Sequence, residues 1–195
     1  MNQPLKYDFW VVAIGSSAGG LQPLIKMVNN LAENAKATFI IIPHLLRNGK
    51  SQLAFLLSKH SKIPAIRAAH GMQLVPQKIY ILPEGKVMTL KNGCLILRER
   101  RSEEIINNAI DTFFMSLALD AKEKAIGVIL SGNGNDGLLG SKEIEKNNGV
   151  IIVQDPCTAE SPGMPNAIIE NDMPNAILAP EEIGYRIIQH TGVVK

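Results

Sequence analysis

The segment Gly15-Ser16-Ser17-Ala18-Gly19-Gly20 lies between an apolar run and a helical pattern, where a loop could do chemistry. A phosphate-binding loop would continue with Lys and Ser/Thr. Here the chain continues Leu21-Gln22, so the cation and the metal-binding hydroxyl are missing. A dinucleotide fingerprint needs glycine where Ser17 stands and an acid where the second strand ends, at His44. The spacing Gly15, Ser17, Gly19 satisfies G-x-S-x-G, the pattern of a serine exposed on a sharp strand-to-helix turn. Small neighbours permit that turn, and the unpaired N–H groups of the following helix can stabilise an oxyanion. The same six residues also suit a turn that merely packs a helix on a sheet.

A serine hydroxyl becomes a useful nucleophile when a base takes its proton and a carboxylate orients that base. Of four histidines, only His44 follows a buried strand at the same edge. His60 lies in the polar stretch Lys59–Lys62 and His190 in the final helix, which reads both as surface residues, while His70 before Gly71 suits a turn. Two acids compete for the third position: Asp136 in the glycine-rich loop after strand 125–130, and Asp155 after strand 150–154. Position alone leaves both open; Asp111 and Asp120, in or at the end of a helix, are weaker. The order Ser, His, Asp differs from that of the α/β-hydrolases, whose fold is also longer, and that class is set aside. Cys94 and Cys157 cannot build a disulfide framework, and no Cys/His cluster points to a metal. Both read as ordinary thiols.

The elements that must carry these residues follow from hydrophobic period. FWVVAIG (9–15), TFIIIPH (38–44), AIGVILSG (125–132) and VIIVQ (150–154) read as buried strands. Helical spacing runs over Leu21–Leu31, Leu53–Leu57, Ile105–Ala121 and Ser141–Asn147, with short helices at 166–170 and 181–190 after a Pro/Gly loop at 156–165. IYILP (79–83), VMTL (87–90) and CLIL (94–97) form an antiparallel excursion, with Lys91-Asn92-Gly93 as a hairpin turn. The pattern predicts an α/β fold: a doubly wound, mostly parallel sheet flanked by helices, with an added antiparallel hairpin. In such a sheet, ligands bind at the carboxyl ends of the strands. That rule brings the serine, the histidine and both aspartates to one rim.

The chain has 195 residues, 46% hydrophobic and 19% charged, which suits one domain spanning 1–195 with an ordered core from about 9 to 190. A formal charge of +2 without a basic run argues against a nucleic-acid binder. The longest unbroken apolar run, FWVVAI, is too short to span a bilayer, and Met1–Asp8 lacks the pattern of a secretion signal. A cytoplasmic location without membrane insertion is expected. The charged stretch Arg98–Glu104 reads as a solvated loop.

Taken together, the SSAGG turn, the PH after the second strand, the ILSGNGNDG loop and GVIIVQDPCTAESPGMPNAII resemble the catalytic domain of CheB-type protein-glutamate methylesterases. The likeness runs from about Val11 to Ile188 with motifs in family order. It is nearest to methylesterase domains in proteins that also carry a CheR-type methyltransferase. The resemblance implies Ser17 as nucleophile, His44 as base and Asp136 as the acid. The implied activity is hydrolysis of glutamyl methyl esters on chemoreceptor-type proteins, with glutamine deamidation at the same site and no cofactor; backbone N–H groups near Ala18 and Asn133 are the candidate donors to the oxyanion. Chemotaxis members often have threonine and methionine where this chain has Ala18 and Asn133. The first strand begins so near Met1 that no receiver domain is expected before it, and a monomer is the default. The rival class is a catalytically inactive α/β module that binds a partner or nucleotide at the same rim. A small-molecule esterase is a third possibility.

Overall fold

The computed structural model describes residues 7–45, 49 and 51–194. Residues 1–6, part of the stretch where no secretion signal is expected, lie outside the described residues, as do 46–48, 50 and 195. In the first half of the chain, β1 (Trp10–Ser16), α1 (Leu21–Asn29), β2 (Ala37–Pro43) and α2 (Leu53–His60) alternate. Five short strands follow: β3 (Ala65–Arg67), β4 (Met72–Gln73), β5 (Ile79–Ile81), β6 (Lys86–Lys91) and β7 (Cys94–Glu99). Alternation resumes with α3 (Ala109–Ala121), β8 (Ala125–Ile129), α4 (Leu138–Lys146) and β9 (Val150–Gln154). The last elements are α5 (Gly163–Asn171), β10 (Ala176–Leu178) and α6 (Pro180–Thr191).

Seven strands form a parallel sheet in the order β10-β9-β8-β1-β2-β5-β3, and β4-β7-β6 form a separate antiparallel sheet. The central strands are apolar throughout because both faces are covered. Val11 and Ala13 of β1 share one core with Phe113 and Phe114 of α3, Ile144 of α4 and Ile168 of α5. Val12 and Ile14 share the other with Leu24 and Met27 of α1, Leu57 of α2, and Ile183 and Ile187 of α6. Each of the larger of these side chains contributes about 1.5–3 kcal/mol when fully buried, which fixes the alternation of faces along every central strand. Strand order reverses about β1: the chain first builds outward through β2 and later returns to β8 on the other side. Ligand crevices of open α/β sheets form at that kind of switch point.

Several local expectations are corrected. Ile79–Ile81 belongs to the parallel sheet, paired with both β2 and β3, and the hairpin is β6–β7 alone with β4 at its edge. A three-residue apolar strand reads alike in either setting. The helix expected from Ile105 begins at Ala109, leaving Ile105 85% and Ile106 76% exposed. The carboxylate of Asp136 meets the N–H groups of Ile110 and Asp111 and so sets where α3 starts. The helix expected from Ser141 begins three residues earlier, at Leu138, and the loop at 156–165 already enters α5 at Gly163. Strands β3, β4 and β10 are too short to carry a period of their own. Among the described residues, no helix is long and apolar enough to cross a membrane.

Candidate active site

At the end of β1, Ser16 pairs with Pro43, and the ladder continues one step further because His44 N–H donates to Ser16 O at 2.9 Å. That bond puts His44 beside the turn that begins α1. Ser17 is half-buried. Its N–H donates to Ser131 O at 2.9 Å, and its own carbonyl accepts Gly20 N–H at 3.0 Å, closing the turn. The loop after β8 comes so near that a Cβ on Gly132 would lie 2.8 Å from Ser17 Cβ and would collide with the Met164 sulfur. Only glycine permits this approach. Ser17, His44, Ser16, Leu21, Pro43 and Leu53 line a cavity of about 330 Å³.

His44 Nε2 stands 2.7 Å from Asp136 Oδ2, with the side chains 16% and 6% exposed. A carboxylate only accepts, so Nε2 carries the donated proton, which leaves Nδ1 as the acceptor nitrogen whenever the ring is neutral. Among the described residues no hydrogen bond joins Ser17 Oγ to His44, although both face the same cavity. Serine–histidine bonds in unliganded sites are often long and tighten when substrate binds.

Asp136 is held by a helix that it does not belong to. Its Oδ2 accepts Ile110 N–H at 3.0 Å and its Oδ1 accepts Asp111 N–H at 2.9 Å, both in the first turn of α3. These are donors that a helix start leaves unpaired, and the macrodipole favours an anion there. Asp111 returns the arrangement: its Oδ1 accepts Gly137 N–H at 3.0 Å and Gly140 N–H at 2.8 Å at the start of α4. Gly137 has φ +101°, a conformation open to glycine at little cost. Burial pushes the Asp111 carboxyl above its ordinary range, and the charge of Asp136 adds to that, while the N–H groups oppose it.

A second buried polar cluster joins the serine turn to two other loops. Ser131 Oγ donates to Ala18 O at 2.8 Å and accepts Ser161 N–H at 3.0 Å. Ser131 N–H donates to Gln154 Oε1 at 2.8 Å, and Gln154 Nε2 donates to Thr158 Oγ1 at 3.1 Å. Gly132 N–H is taken by Ser161 O at 2.8 Å. Among the described residues the N–H groups of Ala18 and Asn133, both in exposed positions of this rim, carry no partner. Ser131 and Gln154 escaped the sequence reading. Each is a polar residue closing an apolar strand, and that is the signal that could have flagged them.

The remaining candidates have other surroundings. Asp155 Oδ1 accepts Cys157 N–H at 2.9 Å, capping a 3-10 turn at Pro156–Thr158. Cys157 is exposed and Cys94 half-buried, each as a free thiol. His190 packs edge-on against Trp10, 4.4 Å between ring centres, at the opposite end of β1. His70 Nδ1 lies 2.9 Å from Leu97 O, and His60 is exposed at the end of α2. The charged stretch expected as a loop begins in strand: Arg98 and Glu99 end β7, and Arg98 forms a forked pair with Glu104 at 2.9 and 2.6 Å.

A serine turn, a histidine and a helix-held aspartate thus follow three adjacent parallel strands, and comparison with known proteins gives the family of the chain. Residues 12–187 match the family model described as CheB methylesterase. The chain belongs to the CheB methylesterase family. Curated relatives named protein-glutamate methylesterase/protein-glutamine glutaminase occur in Desulfitobacterium hafniense (strain Y51), 31% identical, and in Moorella thermoacetica, 32% identical. The aligned parts cover 94% and 91% of this chain but 48% and 43% of those relatives, so the chain spans less than half their length. The crystal structure of the Thermotoga maritima CheB methylesterase catalytic domain superposes with a TM-score of 0.86 at 28% identity, covering 94% of this chain and all of that one. The α/β architecture expected from the sequence is thus the architecture of a CheB catalytic domain.

Proposed function

We propose that this chain hydrolyses γ-glutamyl methyl esters on a methylated chemoreceptor-type protein in the cytoplasm, releasing methanol and a glutamate carboxylate. The observation that carries the reading is the 2.7 Å contact between His44 Nε2 and Asp136 Oδ2 on the rim that bears Ser17. In this mechanism Ser17 Oγ attacks the ester carbonyl carbon while His44 Nδ1 takes the hydroxyl proton. Asp136 holds the ring in that tautomer and stabilises the imidazolium. The N–H groups of Ala18 and Asn133 receive the oxyanion, a donor of this kind being worth about 2.7–4 kcal/mol of barrier lowering. The carbon–methoxy bond then breaks and His44 returns the proton to give methanol. Water next attacks the acyl-serine, His44 again taking a proton, and the carboxylate leaves as Ser17 is restored. Deamidation of a glutamine side chain follows the same course with ammonia as the leaving group. Residues 1–195 act as one catalytic unit, and the chain works as a monomer.

The test is methanol release from a methylated receptor. Ser17→Ala, folded by circular dichroism, is expected to lower kcat/KM at least ~10³-fold, because the three groups act as a unit. A serine-directed phosphonate is expected to label the wild-type protein at Ser17, located by peptide mass. Undiminished methanol release by Ser17→Ala would overturn the proposal.

A further inference from the structure

We propose that Asp111 is a positioning residue that fixes the orientation of Asp136 toward His44, an inference that rests on the methylesterase reading above. Asp111 touches Asp136 by two routes. Its N–H donates to Asp136 Oδ1 at 2.9 Å, and its carboxylate accepts the N–H of Gly137, the very next residue, at 3.0 Å. One side chain thus grips the peptide that leaves Asp136 while its own backbone grips the carboxylate. The grip extends to Gly140 N–H at 2.8 Å, so the start of α4 is tied to the start of α3. Both oxygens of Asp136 are then committed, Oδ1 to Asp111 and Oδ2 to Ile110 and His44. The carboxylate plane has no rotation left to it.

A mere cap for α4 would need only a helix N-terminal donor such as Gly140 N–H. The extra bond to Gly137 lies at the point where movement would turn Asp136. Asp111 is itself only 9% exposed, and two carboxylates buried so close repel each other. Each is made tolerable by N–H groups at a helix start, Asp136 by those of α3 and Asp111 by those of α4. This mutual arrangement works only with Asp136 in the orientation that faces His44. Loss of the Asp111 side chain leaves two buried N–H groups without acceptors at the base of the loop, and the loop must shift to expose them to water.

The experiment reads the resting protein and the reaction separately. The proton on His44 Nε2 should give a low-field ¹H resonance, assigned by its absence in His44→Gln. In Asp111→Ala, kept well below its melting temperature, the resonance is expected to be lost or moved upfield. Its kcat for methanol release should fall about 10–100-fold with KM little changed, the scale of a misplaced catalytic group. Asp111→Asn, whose amide oxygen can still accept from Gly137 and Gly140, should restore both within a few-fold. Phe113→Leu, in the core of the same helix, should lower the melting temperature and leave both readouts alone. A folded Asp111→Ala with the wild-type resonance and kcat would overturn the inference. Should that variant not fold, Asp111→Ser is judged by the same two readouts. Loss of the resonance in a protein whose wild type releases no methanol would support the positioning role and sink the methylesterase reading. Normal methanol release with an unmoved resonance would do the reverse.

Discussion

Two aspartates stand just beyond neighbouring parallel strands, Asp136 after β8 and Asp155 after β9, and the chain uses them differently. Asp136 is 7% exposed and accepts two N–H groups from another helix and one from His44. Asp155 accepts the N–H of Cys157, two residues on, and closes a local turn. The loop after β9 contributes to the rim through the preceding residue instead: Gln154, fully buried, reaches Ser131 N–H and so steadies the carbonyl that receives Ser17 N–H. A place at the end of a strand makes a carboxylate available. What it does is decided by the donors that another element aims at it.

The sharpest way to break this contrast is to neutralise each acid in turn. Asp136→Asn should lower kcat for methanol release by about 10⁴-fold, the loss typical when the third member of a serine triad becomes an amide. Asp155→Asn should stay within a few-fold of wild type in the same assay, and equal losses would erase the distinction. A smaller effect is expected from Gln154→Ala. It strands the buried Ser131 N–H and should cost about 1–3 kcal/mol in urea unfolding. The smallest effect concerns a carboxyl whose neighbour is another acid. Burial, then the Asp172 carboxylate, push Glu145 up to about 7. The folded protein therefore holds this proton more tightly than the unfolded chain does. Its contribution is complete below the ordinary carboxylate range and is lost as pH rises through about 7. The urea midpoint should drift down between about pH 5 and pH 8, and Glu145→Gln should lack that component.

Much of the scaffold was legible in the sequence because buried parallel strands announce themselves. Val11–Ile14, Phe39–Ile42 and Ile126–Ile129 are unbroken apolar runs, and each ends in the loop that bears Ser17, His44 or Asp136. The choice between Asp136 and Asp155 was not legible from position. Spacing tells which residue follows a strand but not which N–H groups will face it. The same blindness hid the role of Asp111, which reads as an ordinary acid inside the helix expected from Ile105, and misplaced the start of that helix. Ile105 and Ile106 carry the apolar period onward, yet the donors at Ile110 and Asp111 are claimed by a carboxylate that lies 25 positions away from Asp111. A long-range cap leaves no trace in local periodicity.

The central place of β1 bears on how the chain is made. Of the described strands it is the first to be synthesised, and β2 can cover one of its edges soon afterwards. Its other edge belongs to Ala125–Ile129, which arrives only after the whole middle of the chain has been synthesised. Until then an apolar strand presents a bare row of N–H and C=O groups, a template on which a second nascent chain could pair. Translation speed and chaperone cover over that interval should therefore govern how much active protein a cell recovers.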